Sequence, residues 1–294
     1  MDFQIALLLG QDGLTNGAIY ALLALALVLV FAVTRVIFIP QGEFVAYGAL
    51  TLAALQAGKV PATLWLILAL GAAVMVLDCA QALRHGSGRR VPRIVAVNLA
   101  APLLLWLLLS NVDLVGLPLV GQIVLALAIV VPLGPMLYRL AYQPIAEASV
   151  LMLLIVSVAV HAVLIGLGLL FFGAEGTRTP AFTEGTLDLG ATTLQYQTLW
   201  ILASSAVLIV ALYAFFERTI YGKALRATAL NRTGARLMGI STTMAGKLSF
   251  TLAALIGAFS GILISPITTL YYDSGFLIGL KGFVGAIIGG LASY

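Results

Sequence analysis

The sequence predicts an all-α, polytopic transmembrane helical bundle with about eight full spans, a broken second helix and a C-terminal half-span. Three observations predict it: the composition, the recurrence of apolar stretches about 20 residues long, and the uneven placement of the charged residues. Of the 294 residues, 62% are hydrophobic and only 9% are charged, and the mean hydropathy is +1.13. Because a soluble domain carries roughly 25% charged residues, lipid must be the solvent for most of this chain.

Eight stretches are long and apolar enough to cross a hydrocarbon core about 30 Å thick. A final stretch begins near Gly282 and reaches Tyr294, and it would rise only about 20 Å, so we predict a half-span there. With no visible domain boundary, residues 1–294 are predicted to form a single transmembrane domain. The eight predicted spans are 14–34, 36–57, 62–83, 91–110, 115–138, 150–172, 198–217 and 248–268.

The lysine and arginine residues indicate the orientation, because cytoplasmic connections carry an excess of both. If Arg35 faces the cytoplasm, strict alternation places the connections 84–93, 139–149 and 218–247 on the same side. These places hold 12 of the 15 lysine and arginine residues, which puts the N-terminus outside. The opposite side receives Lys59, Arg178 and Lys281.

Composition also bears on several functional classes. Cys79 is the only cysteine, so an internal disulfide is impossible, and His85 and His161 lie far apart in the sequence. We therefore predict no metal site, no bound cofactor and no catalytic group. The net charge of +4 is explained by the cytoplasmic connections, so nucleic acid is not an expected partner.

The second predicted span contains Pro40-Gln41-Gly42-Glu43. Proline removes a helix hydrogen bond, glycine loosens the backbone, and a carboxylate is expensive inside a bilayer. Two interpretations stay open. Either the helix is discontinuous and borders a translocation path, or 36–41 is a tight cytoplasmic turn with Glu43 near the membrane surface.

Other polar residues within the spans also allow two interpretations. Asn16 and Tyr20 share one face of the first helix, where they border a path or serve helix packing. For Asp78, an interfacial ion pair with nearby Arg84 is favoured over a proton relay. For His161, a hydrogen-bonded structural role is favoured over contact with a transported solute. Gly13 with Gly17, Gly257 with Gly261 and Gly285 with Gly289 form GxxxG pairs, which predict close helix packing.

The segment 218–247 is too polar to cross the bilayer and too long for a tight turn. Alanine, leucine and methionine at helical spacing predict one or two short helices below the membrane. One interpretation is a basic interfacial helix resting on anionic headgroups. The other is an apolar knob, rimmed by arginines, that fits a groove of a partner protein.

Several motifs in this chain occur in a fixed order. Residues 222–231 read Gly-x-x-Leu-Arg-Ala-x-Ala-x-Asn, and residues 235–240 read Ala-Arg-Leu-Met-Gly-Ile. Earlier come Gly13-x-x-x-Gly17-x-x-Tyr20-Ala-Leu, the pair Gly42-Glu43, and YRLAYQP from Tyr138 to Pro144; Lys281-Gly-Phe through Gly289-Gly-Leu291 follows. Together they resemble the permease subunits of branched-chain amino acid ABC importers.

The resemblance implies an ATP-driven importer of the bacterial inner membrane. Its permease works with a second permease subunit, similar or identical, with two cytoplasmic ATPase subunits and with a periplasmic solute-binding protein. ATP is used by the partners, since this chain has no Gly-x-x-x-x-Gly-Lys-Ser/Thr loop. The residues expected to couple to the ATPases are Gly222, Arg226, Ala227, Asn231 and Gly239. Those expected to border the path are Asn16, Tyr20, Gln41, Gly42 and Glu43.

The chain departs from the family pattern at three places. Pro40-Gln41 stands where the family has Ala-His before Gly-Glu, which makes a solute other than leucine, isoleucine or valine plausible. The region 60–135 looks longer by about one helix. The sequence also ends just after Gly289-Gly290, where the family continues through at least one more helix.

The main alternative is a secondary transporter driven by an ion gradient. It predicts paired acidic and basic residues at the membrane midplane, and neither Glu43 nor Asp78 has an obvious partner at that depth in the sequence. An intramembrane enzyme is disfavoured, because Ser204-Ser205 has no histidine at a recognisable spacing.

Overall fold

The computed structural model describes residues 3–188 and 193–290, and it is a bundle of helices with one small β-hairpin. Within these residues, seven helices are long and apolar enough to cross a membrane, which confirms the predicted class. The helices are α1 (Phe3–Thr34), α2 (Gln41–Gln56), α3 (Thr63–Arg84), α4 (Gly88–Asn111), α5 (Leu119–Ile145), α6 (Val150–Phe172), α7 (Tyr196–Arg218), α8 (Ile220–Leu230), α9 (Arg232–Leu237), α10 (Thr242–Ile264) and α11 (Ser274–Ile288). The strands are β1 (Thr186–Asp188) and β2 (Thr193–Gln195), which pair antiparallel.

The centre of the bundle is formed by α2 and α10, with α1 and α11 packed against them. In α10, 67% of the most apolar window is buried inside the protein, whereas the corresponding share for α4 is 11%. The helices α4, α6 and α7 therefore present most of their apolar surface outward, as expected for helices that face lipid.

The second predicted span is broken, as expected. After α1, Arg35 takes a left-handed backbone conformation (φ 61), and residues 35–40 are non-helical. The 16 residues of α2 then begin at Gln41 and rise about 24 Å, so this helix is shorter than the other seven spans. Val36, Phe38 and Pro40 are buried, so alternate residues of the non-helical stretch pack against protein, as irregular backbone at membrane depth requires.

The beginning of α2 lies deep in the bundle. The side chain of Gln41 donates a hydrogen bond of 2.9 Å to the carbonyl of Ala253, which stands at the middle of α10. Glu43 contacts His161, which stands at the middle of α6. The interpretation of 36–41 as a tight turn at the membrane surface is therefore wrong. The helix is discontinuous inside the bundle, and a role for it beside a translocation path stays a prediction.

Glycines allow the central helices to touch backbone to backbone. A Cβ on Gly42 would collide with the carbonyl of Gly275 in α11, and one on Gly261 would collide with the carbonyl of Val45 in α2. Of the GxxxG pairs, Gly257 with Gly261 is thus a packing motif. A Cβ at Gly13 or Gly17 would meet nothing within 4 Å, so that pair makes no close contact within the described chain.

Side-chain contacts place the connections that were predicted to share one side of the membrane at the same end of the bundle. At one end, Arg139 pairs with Asp78 and Arg236 with Glu147, which joins the ends of α3, α5 and α9. At the other end, Thr177 bridges to Leu270. We call the first end, with its many arginines, the basic end.

The half-span and Lys281 differ from the prediction. The last helix starts at Ser274, well before Gly282, and Lys281 lies within it instead of in an external connection. The charge of Lys281 interrupts the apolar pattern in the sequence, but the helix continues through this residue. Its exposed amino group lies 3.3 Å from the hydroxyl of Tyr20. The predicted end of the half-span, residues 291–294, lies outside the described residues.

Candidate functional site

The first turn of α2 carries a buried carboxylate at the centre of the bundle. Pro40 is the N-cap residue, where its missing N–H is no loss, and Glu43 follows in the first helical turn, where the helix dipole favours negative charge. The side chain of Glu43 is 1% exposed, and its Oε1 lies 2.8 Å from Nδ1 of His161. This is a close approach and not an aligned hydrogen bond, because neither carboxylate oxygen of Glu43 nor Nδ1 of His161 has a hydrogen-bond partner among the described residues.

His161 is a partner for Glu43 at membrane depth, and the sequence did not reveal it. The expectation that Glu43 lacks such a partner is therefore wrong. His161 also stacks near the ring of Phe276, with 4.9 Å between the ring centroids. The structural role favoured for His161 agrees with this enclosed position, while the contact with a carboxylate makes the residue part of the site. The sequence signal for His161 was its position as a lone ionisable residue in the middle of an apolar span.

A second polar contact between α2 and α6 lies one turn beyond the first. The hydroxyl of Tyr47 donates a hydrogen bond of 2.6 Å to the carbonyl of Leu164. Because Tyr47 follows Glu43 by four residues, the two side chains lie on the same face of α2. The α2–α6 contact is thus held by polar groups inside an apolar bundle, where unpaired groups would be expensive.

Aromatic side chains close the space between Glu43 and the basic end. Phe250 of α10 lies at the centre of this cluster, with ring centroids 4.8 Å from Phe38, 5.1 Å from Tyr138 and 5.1 Å from Tyr142. The side chain of Phe44 lies beside Phe38. All five rings are buried, so the carboxylate is separated from the basic end by this aromatic layer.

The interface of α2 with α10 contains polar atoms that have no partner in the described structure. They are Oε1 of Gln41 and Oγ of Ser260, and both are buried. Gln41 holds α10 with its Nε2, so its oxygen remains available to accept a hydrogen bond. Such groups suit a small polar solute or water, which would satisfy them.

The predicted path residues fall into two places. Gln41, Gly42 and Glu43 lie together at the start of α2. Asn16 donates a hydrogen bond to the carbonyl of Asp12 on its own helix, and Tyr20 contacts Lys281 on the exposed side of α1 and α11. No described contact joins these two groups of residues.

The predicted ion pair of Asp78 is present with a different partner. Oδ1 of Asp78 accepts a hydrogen bond of 2.6 Å from Nε of Arg139, and Arg139 also donates to Oε1 of Gln81 at 2.8 Å. Among the described residues, Arg84 forms no ion pair with Asp78. Sequence proximity favoured Arg84, but Arg139 is the cation that tertiary packing buries beside the carboxylate.

The segment 218–247 contains the two predicted short helices, α8 and α9. Asn231 caps α9, because its Oδ1 accepts a hydrogen bond of 2.9 Å from the N–H of Gly234. Gly239 ends that helix with a left-handed backbone (φ 80). Gly222 lies tightly against the carbonyl of Phe215. These three predicted coupling residues therefore set the shape of the segment.

Arg226 and Ala227 occupy the outer part of α8. Nη1 of Arg226 lies 2.6 Å from Oε1 of Glu217, so this arginine is paired within the chain, and both side chains remain partly exposed. The carbonyl of Ala227 accepts the N–H of Asn231 at the end of α8. Glu217, near the end of α7, thus positions the side chain of Arg226.

Several apolar side chains of this segment are strongly exposed. Leu230 is 86% exposed, Leu237 is 84% and Met238 is 82%, and they lie on α8 and α9 at the basic end. Arg236 fixes α9 to Glu147 at 2.9 Å. Beside them, a cavity of about 250 Å³ opens between α8 and the beginning of α10 and is lined mostly by apolar side chains. Leu230 was missed by the motif comparison, although its place at the end of an amphipathic helix was a signal.

The family described as branched-chain amino acid transport system, permease component, matches residues 11–294 of this chain. The chain is 27% identical over 218 residues to the high-affinity branched-chain amino acid transport system permease protein LivH of Salmonella typhimurium, with 71% of this chain and 68% of the relative covered. LivH of Escherichia coli K12 is 28% identical with the same coverage. The permease protein BraD of Pseudomonas aeruginosa is 25% identical over 194 residues, or 63% of each chain. No solved structure matches the chain significantly.

Proposed function

Because the chain belongs to the family of permease components of branched-chain amino acid transport systems, we propose that it forms the translocation path of an ATP-driven importer and couples that path to separate ATPase subunits. The expected solutes are branched-chain amino acids or related small polar molecules. The expected partners are a second permease subunit, two cytoplasmic ATPase subunits and a periplasmic solute-binding protein. As a multi-pass protein of bacterial type, it is expected in the inner membrane.

The exposed apolar knob formed by Leu230, Leu237 and Met238 carries this proposal. Isolated apolar side chains are common on protein surfaces, but three strongly exposed ones at the ends of two short, neighbouring capped helices suit a protein groove. They lie below the basic end, outside the long apolar helices, where a soluble ATPase has access. The interpretation as a helix resting on headgroups remains the alternative for this segment.

The start of α2 supports the path. Glu43 offers a carboxylate whose oxygens accept no hydrogen bond in the described structure, and Gln41 offers an amide oxygen that accepts none, so both would attract the ammonium group of an amino acid. The aromatic cluster around Phe250 closes the route to the basic end. This arrangement corresponds to a state closed toward the cytoplasm, and opening would require α2 and α10 to move apart or the rings to rotate.

The exposed side of α1 and α11 supports the presence of a second permease subunit. Lys281 is exposed there, near the middle of α1, and an ammonium group facing lipid at that depth would be expensive. A second subunit seated on this face would cover Lys281 together with Tyr20 and Asn16. This placement keeps Asn16 and Tyr20 beside a path that runs between the two subunits.

An ion-driven transporter is the second candidate, and the contact between Glu43 and His161 favours it. Paired ionisable residues at the midplane are typical of such carriers. The two candidates differ in what uptake requires: an importer needs ATP and its ATPase partner, whereas a carrier needs an ion gradient.

The first test is co-purification of the tagged, detergent-solubilised protein from its native host, with partners identified by mass spectrometry. The wild type is compared with Arg226→Glu, which places like charge beside Glu217, and with the double variant Leu237→Ser and Met238→Ser. A Lys59→Glu variant, changed at the opposite end, is the matched control. We expect an ATPase subunit with the wild type and the control, and its loss with the two test variants.

The opposite result has a defined meaning. If no ATPase is recovered under conditions that preserve known complexes, and uptake into cells collapses with a protonophore while ATP is maintained, the importer assignment fails. The ion-driven carrier then becomes the better description, with Glu43 as its first candidate group.

A further inference from the structure

A large polar cleft lies between the end of α3 and the beginning of α4, away from the start of α2. Its volume is about 700 Å³, and its polar lining consists mainly of Asp78, Gln81, His85, Arg90, Arg93 and Asn98. It belongs to the region 60–135, which the sequence comparison singled out as longer than in typical relatives. Its lining residues belong neither to the segment 218–247 nor to the site around Glu43.

The cleft carries excess positive charge. Its one carboxylate, on Asp78, is already paired with Arg139, and Arg139 is also bound to Gln81. His85 uses its Nδ1 to contact the carbonyl of Gln81. The side chains of Arg90 and Arg93 have no ion-pair or hydrogen-bond partner in the described chain. Two guanidinium groups are therefore left to bind an anion.

The position of the cleft selects the kind of anion. It opens at the basic end of the bundle, at the level where α3 leaves the apolar region, and α4 is the least buried of the spanning helices. From Ile94 onward, the outward surface of α4 is apolar, with Val97 and Leu104 exposed. An anion bound by the arginines would thus have an apolar track next to it, as a phospholipid with its acyl chains requires.

We propose that the α3–α4 cleft binds the phosphate headgroup of an anionic phospholipid, with Arg90 and Arg93 as its ligands and the acyl chains lying along α4. Guanidinium groups suit phosphate oxygens because they donate two hydrogen bonds in a plane. The bound lipid would fill the cleft between the two helices and would thereby hold α4 against α3. The proposal stands independently of the transported solute and of the ATPase.

The test measures lipid binding by the purified full-length protein. Native mass spectrometry follows retention of phosphatidylglycerol and cardiolipin against phosphatidylcholine, and a fluorescence titration gives the affinities. The test variant is Arg90→Gln with Arg93→Gln. The matched control is Arg89→Gln with Arg84→Gln, which removes the same charge from neighbouring positions that do not line the cleft. Inorganic phosphate and glycerol phosphate form separate arms.

We expect the test variant to bind the anionic lipids about thirtyfold more weakly, since each arginine near an anionic headgroup contributes roughly a factor of five. The control should keep wild-type affinity within about twofold, and phosphatidylcholine should bind no differently to any variant. Equal losses in test and control would show diffuse attraction and overturn the proposal. Binding of inorganic phosphate without retention of phosphatidylglycerol or cardiolipin would overturn the assignment to lipid.

Discussion

Oε1 of Glu43 lies 2.8 Å from Nδ1 of His161, which joins the first turn of α2 to the middle of α6. The contact places two ionisable side chains at the same depth, inside a bundle that is otherwise apolar. It accounts for a carboxylate and an imidazole that would each be costly alone in lipid, and it provides the first of four predictions.

Removing either side chain of this pair should destabilise the protein. Glu43→Gln or His161→Gln is expected to reduce the free energy of unfolding by about 1–3 kcal/mol, because each leaves the other group buried without its partner. The double variant should lose less than the sum of the single losses. Thermal unfolding in detergent measures all four proteins, and strictly additive losses would show that the two groups are not coupled.

The close approach of α2 to α11 should tolerate no side chain at Gly42. Gly42→Ala is expected to destabilise the protein by about 1–3 kcal/mol, since the new Cβ meets the carbonyl of Gly275. Gly13→Ala is the matched control, because its Cβ meets nothing within 4 Å, and it should be neutral or slightly stabilising. Melting temperatures of the two variants make the comparison, and an unchanged value for Gly42→Ala would contradict the packing described.

Loss of the carboxylate at Asp78 should leave the buried guanidinium of Arg139 without its anionic partner. Asp78→Asn is expected to lower stability by about 1–3 kcal/mol, because the buried guanidinium of Arg139 loses its anionic partner and keeps only neutral acceptors. Arg84→Gln should change stability by less than about 0.5 kcal/mol. Denaturation of both variants decides which arginine matters, and a larger effect from Arg84→Gln would restore the pairing that sequence proximity suggested.

The N-cap of α9 should control the stability of this short helix within the segment 218–247. Asn231→Ala is expected to remove about 1 kcal/mol of helix stability, whereas Asn231→Asp keeps an oxygen that accepts the N–H of Gly234. Hydrogen exchange at residues 232–237 should accelerate in the alanine variant alone, with the spanning helices unchanged. If the proposed function holds, recovery of the ATPase should fall in parallel. Equal exchange in both variants would show that the cap is not what orders α9.

The sequence predicted the short helices of the segment 218–247 but described its residues incompletely, and ATPase coupling there stays a prediction. Gly222, Asn231 and Gly239 stand out in a motif because a turn, a cap and a left-handed backbone admit few residue types. Leu230 does not stand out, because exposure of an apolar side chain is decided by what surrounds it. The same reason explains the error at Lys281. Its charge placed it in a predicted connection, although in the structure it lies within α11.

What the sequence determined by itself is what local composition controls: the lipid environment, the long apolar helices, the interruption around Pro40 and the grouping of basic connections at one end. Each depends on the residues of one stretch of chain and on the solvent that they require. For the described residues, the predicted number of about eight full spans was too high by one, because α2 has only 16 residues. Only the tertiary structure decided that Glu43 meets His161, that Arg139 meets Asp78 and that Gly42 touches Gly275. These partners lie on different helices, and their meeting depends on the rotation and depth of every helix that packs between and around them, which no single stretch of sequence contains.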